Sequence, residues 1–188
     1  MHHYHRYSLA SKADGFSHWR RGQTLAQWDR TRCEALRGEV NPAKYWFWLK
    51  QGAVTTTSLQ GPAPDRFGIS ITIHAPTGTV LNLAGKTKSL FDGALAAFHS
   101  HDGSALLPLS ERVSPTLGVA GAEVAKQLQD PSRAILGRRR LLWLYREGVQ
   151  WNPADDRCVA GELLLQTDRA DHFWALSEEL FEVESQRM

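Results

Sequence analysis

The spacing of apolar and polar positions changes along the chain, and the changes predict its elements. Phe67, Ile69, Ile71 and Ile73 alternate with Gly68, Ser70 and Thr72. A period of two puts the four apolar side chains on one face, so this segment is expected to be a strand with one buried side. After the turn signal Pro76-Thr77-Gly78, Leu90, Phe91, Ala94, Leu95 and Phe98 recur at helical spacing. They predict a helix over about Lys86 to His99.

Other segments are read from shorter patterns. Leu25, Trp28 and Leu36 share a helical face, with Thr24 placed to cap its start and Gly38 to end it. Asn41-Pro42 reads as a break, and Tyr45-Trp46-Phe47-Trp48-Leu49 as an aromatic strand continued by Val54–Thr57. Ser114-Pro115 starts a helix carrying Val124 and Leu128, which Asp130-Pro131 closes. Leu141–Tyr145 reads as a buried strand and Val159–Leu165 as another. Asp171 is placed to cap a last helix with Phe173, Leu176 and Leu180 on one stripe. Residues 1–22 are polar and aperiodic and read as an extended N-terminal arm. The resulting order, α, β, β, α, α, β, β, α, implies an α/β-type (α+β) fold with a single mixed β-sheet flanked by helices.

Length and composition fit that fold. The 188 residues are 42% hydrophobic and 22% charged, which suits one globular domain spanning the whole chain. No apolar run approaches the ~18–20 residues of a membrane span. Met1–Arg6 is not followed by an apolar stretch, so no secretory signal is expected and the expected compartment is the cytoplasm. Cys33 and Cys158 are then expected to be reduced thiols. The seven tryptophans are expected mostly in the core, with stacking on bases as the sharper alternative.

Net charge is +2, too small to imply nucleic acid by itself. Its distribution is more informative. Residues 1–40 carry seven Lys/Arg against four Asp/Glu, whereas the segment from Asp171 carries five acids and only Arg187. Two copies with such ends have complementary surfaces, so a homodimerising or protein-interaction domain is one reading. Gly137-Arg138-Arg139-Arg140, with Lys86, Lys88, Arg20 and Arg21, gives the other: if they cluster, they form a phosphate-binding face for nucleic acid.

Two constellations have metal chemistry in them. His99-Ser100-His101-Asp102, followed by Ser110, offers two imidazoles and a carboxylate to a transition metal. It resembles the JAMM metalloprotease signature, except that Asp102 and Val113 stand where Pro and a ligating Asp are expected. The plainer reading is a helix C-terminus followed by an Asp-Gly turn. The second constellation is Lys88 and Asp92, neighbours at i, i+4 on a helix, together with Asp155-Asp156 before a strand. Carboxylates gathered from separate elements hold Mg²⁺ and support phosphodiester cleavage. With the strand at Phe67–Ile73, the helix bearing Lys88 and Asp92-Gly93-Ala94-Leu95, and Asp155-Asp156, residues 67–165 resemble RusA-type Holliday-junction resolvases. The resemblance implies a Mg²⁺ site at Asp92, Asp155 and Asp156 with Lys88 beside it. Asn82, Ala84 and Gly85 replace that family's first two acids and its Asn, which implies a divergent or inactive relative. Otherwise Lys88–Asp92 is a helix surface pair and Asn152–Asp156 a turn.

Overall fold

The computed structural model describes residues 3–8, 19–36, 40–52, 55–56, 63–153, 155–168 and 173–185. In chain order the elements are β1 (His3–Ser8), β2 (Trp19–Arg32), α1 (Pro42–Gln51), β3 (Thr55–Thr56), β4 (Phe67–Pro76), α2 (Leu83–Ala97) and β5 (Ser100–His101). They continue with α3 (Leu106–Leu117), α4 (Gly121–Gln129), β6 (Arg138–Arg139), β7 (Leu142–Tyr145), β8 (Gly148–Trp151), β9 (Cys158–Asp168) and β10 (Ala175–Ser185). Four helices among the described residues and a mixed sheet make this an α+β fold, as the sequence pattern predicts. The contacts gather into two compact units that interleave in sequence. Unit 1 takes Met1–Glu34, Ala53–Leu83 and Asp156–Met188, and unit 2 takes Ala35–Gly52 and Ala84–Asp155. Among the described residues no helix is long and apolar enough to cross a membrane.

Unit 1 is a six-stranded sheet in the order β1-β9-β4-β10-β2-β3, with β4 and β9 parallel and the other pairs antiparallel. The alternation that predicts β4 is realised: Phe67, Ile69, Ile71 and Ile73 are all 0% exposed. β10 lies beside it, with Leu176 opposite Ile73 and Leu180 opposite Ile69. The expected last helix is therefore a strand. Leu176 and Leu180 are four apart, a spacing that suits a helix and equally one face of a strand. Glu178, buried between them opposite Ile71, masks the alternation. The proposed cap, Asp171, lies outside the described residues.

The expected helix from Thr24 is also a strand, β2. Leu180 pairs with Ala26 and the next residue, Phe181, with Thr24, so Leu25 is the extra residue of a β-bulge. The bulge shifts the phase of the alternation, which makes buried Leu25 and Trp28 imitate a helical i, i+3 step. The expected arm is partly sheet. His3–Ser8 runs against Leu165–Ala160 of β9, and Trp19–Gly22 already belongs to β2, while residues 9–18 lie outside the description. On the second face of the sheet, Gly68 gives room to Phe181, whose ring carbons stand 2.3 and 2.5 Å from where a Cβ would be.

Unit 2 contains the helices. The aromatic run expected to be a strand is α1. The Asn41 side chain accepts from the Ala43 N–H at 2.9 Å and Pro42 takes the first turn, so the pair that reads as a break is a helix start. Tyr45, Trp46 and Leu49, all 0% exposed, form its buried stripe. Gly93 of α2 sits against it, because a Cβ there would lie 2.9 Å from the Pro42 carbonyl oxygen. The single helix expected from Ser114 is two helices. Gly118, at φ 69°, ends α3 with its N–H on the Ser114 carbonyl, and Pro115 falls inside α3. α2 spans Leu83–Ala97 rather than Lys86–His99.

Candidate nucleic-acid interface

The arginine run and the His-x-His segment, separate in sequence, are brought together in unit 2. β5 and β6 pair in parallel, setting Ser100 beside Arg138 and His101 beside Arg139. The Asp102 N–H donates to the Arg139 carbonyl at 2.9 Å. Arg138 Nη2 donates to the Asp102 carbonyl at 2.6 Å, and Arg139 Nη2 to Asn152 Oδ1 at 3.3 Å. From Arg140 the chain passes directly into a two-stranded hairpin, β7–β8.

That hairpin departs most from expectation. Leu141–Tyr145 reads as a buried strand, yet Trp143, Leu144 and Tyr145 are 41%, 42% and 53% exposed, and only Leu141 and Leu142 are buried. The register pairs Trp143 with Gln150 and Tyr145 with Gly148, so both rings lie on one face opposite an amide and a glycine. Each ring carries a guanidinium. Arg140 Cζ lies 3.7 Å from the Trp143 ring centroid and Arg146 Cζ 5.2 Å from that of Tyr145. An isolated hairpin is marginal, and this one is held from two sides. Trp151 packs on Trp46 of α1 with centroids 5.6 Å apart. Arg112 of α3 donates to the carbonyls of Arg146 and Gly148 at 2.5 and 3.1 Å. This clamp spans the turn in which Arg146 adopts φ 49°, a left-handed conformation that costs a residue with a Cβ.

The segment 138–151 holds four arginines and one acid, Glu147. Among the described residues, Arg138, Arg139, Arg140 and Arg146 form no salt bridge. The sequence reading misses Arg112, Arg146 and the exposure of both rings. The pattern Trp143-x-Tyr145 before Arg146-Glu147-Gly148 is the signal that identifies an alternating strand entering a turn. The other basic candidates lie elsewhere. Arg20 and Arg21 belong to β2 of unit 1, where Arg21 forms an ion pair with Glu179. Lys86 and Lys88 are on α2.

His99 and His101 follow α2 as a turn and a strand. His99 Nδ1 donates to the Leu95 carbonyl at 2.8 Å, which binds the ring back onto the helix. His101 Nδ1 accepts from the Gly103 N–H at 2.9 Å, so its proton resides on Nε2 and neither nitrogen presents a free lone pair. Burial lowers the His101 pKa, against the opposing pull of Asp102, and keeps the ring neutral. Burial alone would raise the Asp102 carboxyl, but the Ser104 backbone N–H and hydroxyl hold it below its ordinary range. With Gly103 at φ 95°, this is the Asp-Gly turn that the plainer reading predicts.

Lys88 Nζ stands 3.0 and 3.3 Å from the two carboxylate oxygens of Asp92, the i, i+4 pair that the spacing predicts. Asp155–Arg157 forms a 3₁₀ turn at the junction of the units, with Asp155 counted in unit 2 and Asp156 in unit 1. The side chain of Asp155 lies outside the description. Among the described residues, no three His, Cys, Asp or Glu side chains gather as metal ligands. The donor set does not suit Mg²⁺ either. Asp92 is already paired with Lys88, and Mg²⁺ takes oxygen ligands from several carboxylates or phosphates.

A buried lysine lies close by in unit 2. Lys50, 4% exposed, donates to the carbonyls of His99 and Asp130 at 3.2 and 3.4 Å. Burial lowers its pKa to about 8, with Asp130 opposing the shift. Arg133 caps the end of α1 by donating to the Leu49 and Lys50 carbonyls at 2.8 and 2.6 Å. These two residues are structural ties rather than a reactive centre.

No family model matches the chain, nor does any curated protein or solved structure.

Proposed function

We propose that this protein binds nucleic acid through the β7–β8 hairpin and Arg138–Arg140, as a divergent or inactive relative of the metal-dependent nucleases it resembles, acting in the cytoplasm. The observation that carries the reading is the hairpin's composition. Four arginines, none of them in a salt bridge among the described residues and only Arg140 near a carboxylate, that of Asp102, flank two half-exposed aromatic rings on one strand face. Phosphates satisfy such charge and base rings stack on such aromatics. Among the described residues no group of acidic ligands gathers around Asp92, which favours binding over cleavage.

Replacing Arg138, Arg139 and Arg140 together by Ala tests this. Affinity for DNA or RNA at low salt should fall by at least about tenfold, with the salt slope reduced. Absence of binding by the unaltered protein would contradict the reading. It would favour the second one, a protein-interaction or homodimerising surface, which rests on the exposed Leu144 and Leu107, 42% and 69% accessible. Sedimentation across a concentration series reports that alternative.

A further inference from the structure

We infer that the hairpin recognises unpaired nucleotides, stacking bases on Trp143 and Tyr145; this rests on the nucleic-acid reading above. Trp143 and Tyr145 are two residues apart on one strand face, so their attachment points are separated by about 6.6–6.8 Å, two strand rises. Bases within one strand of a duplex are stacked at about 3.4 Å. A duplex cannot place one base on each ring without unstacking, and its internal base faces are already covered. A stretched single strand has open base faces and a variable step, and it meets the ring spacing at no such cost.

The ends of the platform match the strand's chemistry. Arg140 at the Trp143 end and Arg146 at the Tyr145 end each lie over a ring, which leaves positive charge on either side of the stacking positions. The phosphates that flank two splayed bases fall in such places. Each guanidinium takes one face of its ring, so a base stacks on the opposite face, and Trp143 and Tyr145, 41% and 53% exposed, stand across the hairpin from Gln150 and Gly148. The platform is preformed, because the Arg112 clamp fixes the turn in which Arg146 holds its left-handed backbone. Preorganisation of this kind lowers the ordering cost of binding.

The experiment measures binding of the full chain to labelled oligothymidylate, oligouridylate and a mixed-sequence duplex of the same length, at low salt. Both single strands should bind at least about tenfold more tightly than the duplex, and within a few-fold of one another. Trp143→Ala and Tyr145→Ala should each weaken single-strand binding by about tenfold. The duplex affinity, the salt slope and the melting temperature should not change. Trp143→Phe should recover most of the loss, and the fluorescence of Trp143 should be quenched on binding. Equal or tighter binding of the duplex, or ring variants that weaken both forms alike, would overturn this inference and leave the nucleic-acid reading standing. No binding of any of the three probes would overturn both.

Discussion

Both units stack an arginine on an aromatic ring, and the fates of the two charges are opposite. In unit 1, Arg21 lies 4.4 Å above the ring of Phe181, which is 8% exposed, and pairs with Glu179. Thr24 Oγ1 donates to the same carboxylate at 2.6 Å. Charge, ring and acid close on one another across β2 and β10. In unit 2, Arg140 lies 3.7 Å above Trp143, which is 41% exposed, and has no salt bridge among the described residues. The first arrangement joins two strands, whereas in the second a half-buried guanidinium lies against a ring that is exposed. The basic early residues and acidic late residues that suggest pairing between copies are partly matched within one chain, since Arg21 and Arg20 stand opposite Val183 and Glu184 in the β2–β10 ladder. Among the described residues, Arg138, Arg139, Arg140 and Arg146 of unit 2 form no such ion pair, although Arg140 lies near enough to Asp102 to help lower its pKa.

The largest expected effect breaks the structural side of this comparison. Ile71 is 0% exposed on β4, so Ile71→Asp buries an unpaired charge and should cost about 3 kcal/mol or more, enough to abolish a cooperative thermal melt. The same change at Leu144 of the hairpin should stay within about 0.5 kcal/mol. A parent-like melt for Ile71→Asp would undo the assignment of β4's buried face. Gly68→Ala should come next, since its Cβ would collide with a Phe181 ring held under Arg21. About 1–3 kcal/mol is expected, read from denaturant midpoints. Glu179→Gln is expected to cost less than about 1 kcal/mol, because Arg21 and Glu179 are 46% and 25% exposed. That loss should shrink as salt is raised.

The pH dependence sharpens the account of unit 2. His101 has its pKa lowered from 6.5 by burial, so the unfolded chain takes up the proton first as pH falls. Stability should therefore decline below about pH 6.5 and level off once the folded ring also titrates. Lys50, lowered to about 8 by burial, acts in a higher window: between pH 10.5 and about 8 the unfolded lysine is protonated while the folded one is not. Stability should fall as pH drops through that window and stay level below it. Lys50→Met should remove this alkaline limb in urea titrations across pH, and an unchanged limb would show that the lysine does not titrate as buried.

Strict periodicity was legible, and local exceptions were not. β4 and most of α2 follow from simple alternation and a helical stripe, and β9 from its apolar run. β2 and β10 read as helices because a bulge at Leu25 and a buried Glu178 interrupt the period of two. α1 reads as a strand because aromatic β-propensity outweighed the Asn41-Pro42 start. At the candidate interface, the run Arg138–Arg140 is visible in the sequence. The exposure of Trp143 and Tyr145 is not, because it depends on β7 having β8 as its only partner among the described residues. Arg112 could not be found from spacing, since its role is to hold a turn more than thirty residues away.

If Arg138, Arg139, Arg140 and Arg146 serve an external polyanion as proposed, the salt dependence of binding shows it most directly. Each phosphate neutralised on a single strand contributes about −0.7 to the slope of log affinity against log salt. With three or four arginines engaged, oligothymidylate binding by the full chain should show a slope of about −2 to −3, and the Arg138, Arg139 and Arg140 to Ala variant a slope of about −1 or flatter. A flat slope for the unaltered chain, or the same slope in both proteins, would contradict the account.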